Sequence, residues 1–466
     1  MKKTFLILFF LQSLLSFSQE PQAQPTSLQF SNIKPYSFQL SFSPSDAEKY
    51  LVVRSTAPLS FVPQDGVEYQ KGQGVGNGKI FSTGTSSQFS ISEVQAGITY
   101  YITIFAYNGV GVNCAYKVNN PLVGQVTSAG KLIGNYYSAL DLNSPNFISD
   151  LTYRLRNNKI FQPYGDYGVF LVPAVMERDT VNGQKTVTCA YSNEIQVYSG
   201  PFSFTGIDYS REHCMPRSWM PNGGSTSSEP GADYHNLLLV KNTGVNSRRS
   251  NYAYGDVVNM TSGYLDCKLG HDSNGVLVFE PKQSIKGDAA RAMFYQMVAY
   301  DGYLGASWAL GDLAHTYSAQ QDINTLLAWH VQDPVSPEEI ARHEYIAYLQ
   351  NNRNPFIDYP EWVDCIDFTT LTKKSGCTFS FDLDGTSQGR FKVYPNPTKD
   401  NLHIEWEEMQ VAQLRLYSID GKMLFEQKMQ EATTHFTMPL NSFSKGVYIL
   451  SLQGETKVLN KKIIIE

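Results

Sequence analysis

Asp208-Tyr209-Ser210-Arg211-Glu212-His213-Cys214-Met215-Pro216 is the stretch on which the reading of this chain turns. A second polar cluster, Val245-Asn246-Ser247-Arg248-Arg249-Ser250-Asn251-Tyr252, follows it. A carboxylate beside a histidine, with an amide on a separate element, suits one hard divalent cation held next to one general base. That pairing fits hydrolysis of a phosphodiester, whose charge must be neutralised while a water is activated. Alone, a Glu-His dipeptide is ordinary strand sequence and Asn246 an ordinary helix cap. The weight comes from their surroundings.

At 466 residues the chain exceeds one ordinary core, and two to four domains are expected. An aromatic content of 13%, with 29 Tyr and 26 Phe, points to much β structure. The net charge of −6 offers no general attraction for polyanions. Residues 1–18 read as a signal peptide: Lys2-Lys3, the apolar run Thr4 to Leu15, then Ser16-Phe17-Ser18. No later segment is apolar for long enough to span a bilayer, so no transmembrane segment is expected in the mature chain. Export would bring the chain where disulfides persist. Its six cysteines (114, 189, 214, 267, 365 and 377) are widely spaced without a CxxC pair, which suits one to three structural bridges. Cys214, beside His213, reads as a strut.

Residues 25–128 carry period-two or β-branched runs at Tyr36 to Phe42, Tyr50 to Arg54, Gln88 to Ile91 and Thr99 to Tyr107. Val94-Gln95-Ala96-Gly97-Ile98-Thr99-Tyr100 resembles the corner of a fibronectin type III sandwich, with Tyr100 as corner tyrosine. Residues 130–370 change character. Asp288 to Tyr300 has helical spacing with Asp288 as the expected cap, Ile323 to His330 is a second helical piece, and Ser336-Pro337-Glu338-Glu339 opens a helix to about Gln350 as a capping box. Residues 371–390 read as a linker. In 391–466, short strands return at Leu402 to Trp406, Leu414 to Tyr417, Met423 to Lys428, Val447 to Leu452 and Lys457 to Ile465, with a hairpin signal at Ile419-Asp420-Gly421-Lys422. Val393-Tyr394-Pro395-Asn396-Pro397, Gly446-Val447-Tyr448 and Lys461-Lys462 make this segment similar to the C-terminal sorting domain of type IX secretion substrates. That resemblance implies delivery to the medium or the outer-membrane surface by the type IX machinery.

The central region resembles the bacterial endonuclease I family, whose site is a ββα-metal (His-Me) finger. Tyr209 to His213 with Pro216-Arg217-Ser218-Trp219 carries the first part of the match. Asp233-Tyr234-His235-Asn236-Leu237 leading to Val245 to Tyr252 carries the second. Lys286 to Tyr295, Trp329-His330, Asp333-Pro334-Val335 and Asn352 to Asp358 carry the third. The fold class expected is therefore multidomain: a fibronectin III-like β-sandwich, an α+β nuclease with a ββα-metal finger and a helix-rich second half, and a small C-terminal β-sandwich. The resemblance implies His213 as general base and Glu212 and Asn246 as ligands of Mg²⁺, with Ca²⁺ or Mn²⁺ as alternatives. It implies a DNA substrate, with RNA open as a second, and products bearing 5′-phosphate and 3′-hydroxyl ends.

Some members of that family clamp the scissile phosphate with an arginine between the histidine and the Asp-x-His-Asn-Leu stretch, but Met220 to Ala232 contains no basic residue. Arg217, Arg248 or Arg249 is then expected to supply the guanidinium fork; Arg217 and Arg249 are placed with the catalytic group, and Arg211, Arg248 and His235 with substrate contact. Arg291, Trp329, His330, Arg353 and Asn354 are weighed mainly as packing. Residues 131–367 hold 17 Lys+Arg against 26 Asp+Glu, an acidic balance unusual for nucleic-acid binding. A rival reading is a surface adhesion protein with an inactive nuclease-like middle. The presence together of Glu212, His213 and Asn246 argues for the enzyme.

Overall fold

The computed structural model describes residues 18–221, 224–375, 377, 391–406, 411–418, 422–429, 433–454 and 458–465. The signal-peptide reading, the hairpin turn at 419–421 and most of the 371–390 linker lie outside these residues. The chain divides into two compact units, residues 1–379 and 380–466.

The first unit opens with a sandwich of two antiparallel sheets. Thr26–Ser31, Phe38–Ser43 and Gln88–Ile91 form one. The other is built on Lys49–Ser55 and Thr99–Asn108, paired in the register Val52↔Ile104. Alternation sends Phe38, Leu40, Phe42, Tyr50, Val52, Ile102 and Ile104 into the space between them. The Tyr100 hydroxyl accepts the Gln95 N–H at 2.8 Å, which fixes the corner between the sheets.

The central region mixes sheet and helix. Phe147–Arg156 buries Phe147, Ile148, Leu151 and Leu155 along one stripe. A four-stranded sheet has the order Ala253–Tyr254, Leu277–Glu280, Cys267–His271, Asn259–Tyr264. The helix Lys286–Tyr300 is almost wholly buried and packs against Ile323–Gln332 and Phe147–Arg156. Asp288 does not cap it: Ile285 holds the N-cap position, and Asp288 pairs with Arg291 at 3.0 Å. Ser336 does cap Pro337–Gln350, its hydroxyl accepting the Glu339 N–H at 3.0 Å. One disulfide, Cys365–Cys377, is formed; Cys114, Cys189, Cys214 and Cys267 are free and buried. Among the described residues no helix is long and apolar enough to cross a membrane.

The second unit stacks a three-stranded sheet (Phe391–Tyr394, Asn401–Trp406, His435–Pro439) on a four-stranded one (Met423–Lys428, Val411–Ser418, Gly446–Gly454, Val458–Ile465). Leu402, Ile404, Trp406, Leu414, Leu450 and Ile463 fill its core.

Candidate active site

Tyr209–His213 pairs antiparallel with Leu237–Lys241, setting Glu212 opposite Leu238 and His213 opposite Leu237. The chain then turns through Asn242–Asn246, where Gly244 sits at φ +84°, into the short helix Ser247–Arg249. A Cβ at 244 would lie 2.6 Å from the Tyr264 ring, so both backbone and space require glycine. Hairpin and helix together bring Glu212, His213 and Asn246 onto the walls of one polar cleft of about 420 Å³. Tyr164, Ser210, Arg211, Arg217, Ser250 and Asn251 also line it.

His213 is held from two sides. Its Nε2 lies 2.8 Å from the Gly231 carbonyl oxygen. A carbonyl only accepts, so Nε2 carries the proton and Nδ1 keeps its lone pair. The Tyr164 ring stacks on the imidazole at 5.5 Å and 13°. Burial pushes the imidazole down to about 4, with Arg217 and Arg211 adding to the fall and the Gly231 bond opposing it. At neutral pH His213 is therefore an uncharged base.

Glu212 is 7% exposed, and burial pushes its carboxyl up to about 7 against the lowering pull of Arg249. The fully buried Arg249 places Nε 3.6 Å from Glu212 Oε1. The rest of its guanidinium is taken: Nη2 donates to the Cys214 carbonyl at 3.0 Å, Nη1 to that of Tyr252, and the Tyr254 ring covers it at 4.0 Å. Asn246 donates Nδ2–H to Ser210 Oγ at 3.0 Å, leaving Oδ1 as the amide's acceptor. One carboxylate and one amide oxygen are hard donors that suit a divalent cation keeping most of its waters. A carboxyl held near 7 by burial also gains from positive charge placed beside it. The donor set fits such an ion.

The arginines separate by position. Arg217 is exposed at the cleft, and no hydrogen bond or ion pair of its side chain is found among the described residues. Arg211 lines the cleft between the Tyr164 and Phe204 rings, 4.1 and 4.2 Å away, and donates to the Tyr164 carbonyl at 2.9 Å. Arg248 turns back to the Gly244 carbonyl and does not line the cleft. Arg249 does not reach it either, contrary to the expected phosphate contact, because its whole fork is spent on Glu212 and two carbonyls. His235 lies in the core, its Nε2 3.4 Å from the Asn352 carbonyl and its ring against Tyr295 and His343. Burial pushes it down to about 3. His235, expected to touch substrate, is not among the residues lining the cleft and is a packed, neutral histidine. Burial raises Cys214 to about 12, so its thiol is protonated at neutral pH.

A second group with ligand chemistry, His343, Glu344 and Asp358, is already filled. Arg353 donates Nε to Asp358 at 2.7 Å and Nη2 to Glu344, and His343 Nε2 lies 3.1 Å from Asp358. The guanidinium stands where a cation would. Arg291 is likewise closed by Glu339 at 2.6 Å. Trp329 donates to Asp256, His330 Nε2 lies 3.1 Å from the Pro360 carbonyl, and Asn354 caps a short helix. Sequence reasoning missed Tyr164 and Gly231. Tyr164 lies in Pro163-Tyr164-Gly165-Asp166, which carries no spacing that would mark it.

Comparison with known proteins finds matches for three parts of the chain. Residues 164–361 match the Endonuclease I family model, 23–118 that of the fibronectin type III domain, and 392–466 that of the secretion system C-terminal sorting domain. The extracellular ribonuclease of Bacillus subtilis (strain 168) is 38% identical over 167 residues, covering 34% of this chain and 53% of that protein. The extracellular ribonuclease of Bacillus amyloliquefaciens is 39% identical over 161 residues, with 34% and 53% covered. An extracellular deoxyribonuclease of Aeromonas hydrophila is 29% identical over 147 residues, with 31% and 58% covered. The chain spans about half the length of the two Bacillus proteins it matches. The sorting domain and the extracellular relatives mark a secreted or cell-surface protein. Residues 164–361 are thus similar to Endonuclease I, and they lie between a stretch similar to fibronectin type III domains and one similar to secretion-system sorting domains.

Proposed function

We propose that this protein is a secreted, divalent-metal-dependent endonuclease that hydrolyses the phosphodiester backbone of DNA, and of RNA, without regard to base sequence. The observation that carries the reading is His213, its Nε2 tied to the Gly231 carbonyl and its Nδ1 without a hydrogen bond among the described residues, in one cleft with Glu212 and Asn246. His213 Nδ1 takes a proton from the attacking water, and the Gly231 carbonyl holds the imidazolium that results. Glu212 and Asn246 would hold Mg²⁺, with Ca²⁺ or Mn²⁺ as substitutes, and Arg249 keeps the Glu212 carboxylate in place from behind. Bound there, the cation supplies charge stabilisation for the phosphate and the leaving 3′ oxygen. Arg217, exposed and uncommitted, is the side chain that clamps the phosphate, with Arg211 beside it. In-line attack by water leaves 5′-phosphate and 3′-hydroxyl ends. Relatives named for ribonuclease and for deoxyribonuclease activity support a backbone-reading enzyme. The type IX machinery is the proposed export partner of residues 391–466, and 25–128 and 130–370 are the proposed limits of the other two domains.

The test is incubation of the full chain with circular DNA and with long RNA, with Mg²⁺ and with EDTA. Both polymers are expected to be cut with Mg²⁺ only, the DNA ends being ligatable. Cutting that persists in EDTA, or none with any divalent ion, contradicts the proposal.

A further inference from the structure

We propose that the fibronectin type III module is a fixed buttress of the nuclease domain, clamping the helix that anchors the strand opposite His213. Two separate patches dock the module, and both fall within one compact unit. The first lies against Pro337–Gln350. Tyr36 and Ala96 of the sandwich pack with Ala341, Ile340, Tyr345 and Val175. The Ala96 N–H donates to the Pro337 carbonyl at 3.1 Å, Gln95 donates to Glu338, and the Tyr36 ring meets Tyr345 edge-on at 5.0 Å. The second patch is polar. Glu93 accepts the Asp179 backbone N–H at 2.6 Å while Arg54 and Lys79 hold its other oxygen, each at 3.1 Å. Lys71 pairs with Asp179 at 2.8 Å. At Gly72 a Cβ would stand 2.5 Å from the Thr180 backbone, so the two chain segments meet closer than any side chain allows.

The clamped helix reaches the site from its other face. Arg342, next to Ala341, donates Nη2–H to the Tyr234 carbonyl at 2.8 Å and to that of Leu237. Gln350 accepts the Tyr234 N–H and donates to Asp233, both at 2.8 Å. Leu237 is the residue paired with His213. A mechanical path therefore runs from Ala96 through Ala341 and Arg342 to Leu237 and His213. A freely tethered binding module would have no such path, and the path is the same whichever polymer the cleft cuts.

The experiment is amide hydrogen exchange on the full chain and its Ala96→Arg variant, which drives a charged side chain into the apolar patch. Loss of protection is expected at two places: the first turn of Pro337–Gln350, and the amides of Leu237–Lys241, while Thr99–Asn108 within the sandwich keeps its own. If the helix turn opens but Leu237–Lys241 stays as protected as in wild type, the module is a passenger and the proposal is overturned. Should Ala96→Arg fail to fold, Tyr345→Ala, a partly exposed truncation on the helix side, is measured at the same two places: exposure of both supports the buttress, and exposure of the helix turn alone overturns it.

Discussion

Arg217 lines the cleft while Arg249 is buried against Glu212, and their substitution separates two kinds of loss. Arg217→Ala removes an exposed guanidinium from the cleft; kcat/KM for DNA is expected to fall roughly 10- to 100-fold, as for loss of one charge-assisted contact, with the melting temperature unchanged. Arg249→Ala leaves a buried carboxyl without its cation and two carbonyls without their donor. It is expected to cost on the order of 3 kcal/mol of stability and to weaken Mg²⁺ binding, both readable by thermal melts with and without the metal. If the two variants exchange these phenotypes, the assignment of the clamp is wrong. That Glu212, His213 and Asn246 share one cleft was legible in the sequence, because chemistry limits which side chains are candidates for ligand and base. The choice among arginines was not. It depends on burial, and Arg248-Arg249 gives no sign that the second is enclosed.

Gly231 couples the long loop after His213 to the base itself. The short helix Glu229–Ala232 is capped by Ser228, and its carbonyls at Glu229 and Pro230 are held by Tyr300 and Gln296. A Cβ at 231 would lie 1.9 Å from the Ser225 oxygen. Gly231→Ala is therefore expected to cost about 1–3 kcal/mol by overpacking and to lower kcat more than KM, as the carbonyl leaves His213. Steady-state kinetics beside a melting curve checks this; an unchanged kcat in a destabilised protein would show that the carbonyl does not set the base. Elements with strong local signals were legible: Ser336 to Glu339 specified its helix start, and Gln88–Ile91 its strand. Asp288 misled because an acid near a helix start reads as a cap, whereas here Arg291 claims it. The strands Phe391–Tyr394 and His435–Pro439 and the helix Phe147–Arg156 gave weaker periodic patterns and emerge only from pairing and burial.

Beyond the cleft, two buried histidines link stability to pH. His235 and His330 each fall to about 3, burial being the first cause, from an unfolded value near 6.5. Between those values the unfolded chain binds protons that the folded one refuses. Their contribution is therefore intact above about 6.5 and is lost as pH falls toward 3. The raised Glu212 carboxyl opposes this between about pH 7 and 4.5, so melting temperature is expected to decline most clearly from 4.5 toward 3, and a profile flat there would contradict the buried neutral state of both rings. The central region's acidic balance also means that, in the proposed function, attraction for a polyanion rests on Arg211, Arg217 and the cation proposed for Glu212 and Asn246. The cutting rate is expected to fall steeply between roughly 50 and 200 mM salt. The three-part layout was legible because each part carries its own pattern. The docking of the first part on the second was not, since it joins residues such as Ala96 and Pro337 that no local signal relates.

The role of His213 is tested most directly by single-turnover cleavage of supercoiled DNA by wild type and by His213→Ala at saturating Mg²⁺. Removal of the base is predicted to slow cleavage by about 10²–10⁴-fold while DNA binding and the melting temperature hold. A variant that cuts at the wild-type rate would contradict the assignment of His213 on which the site rests.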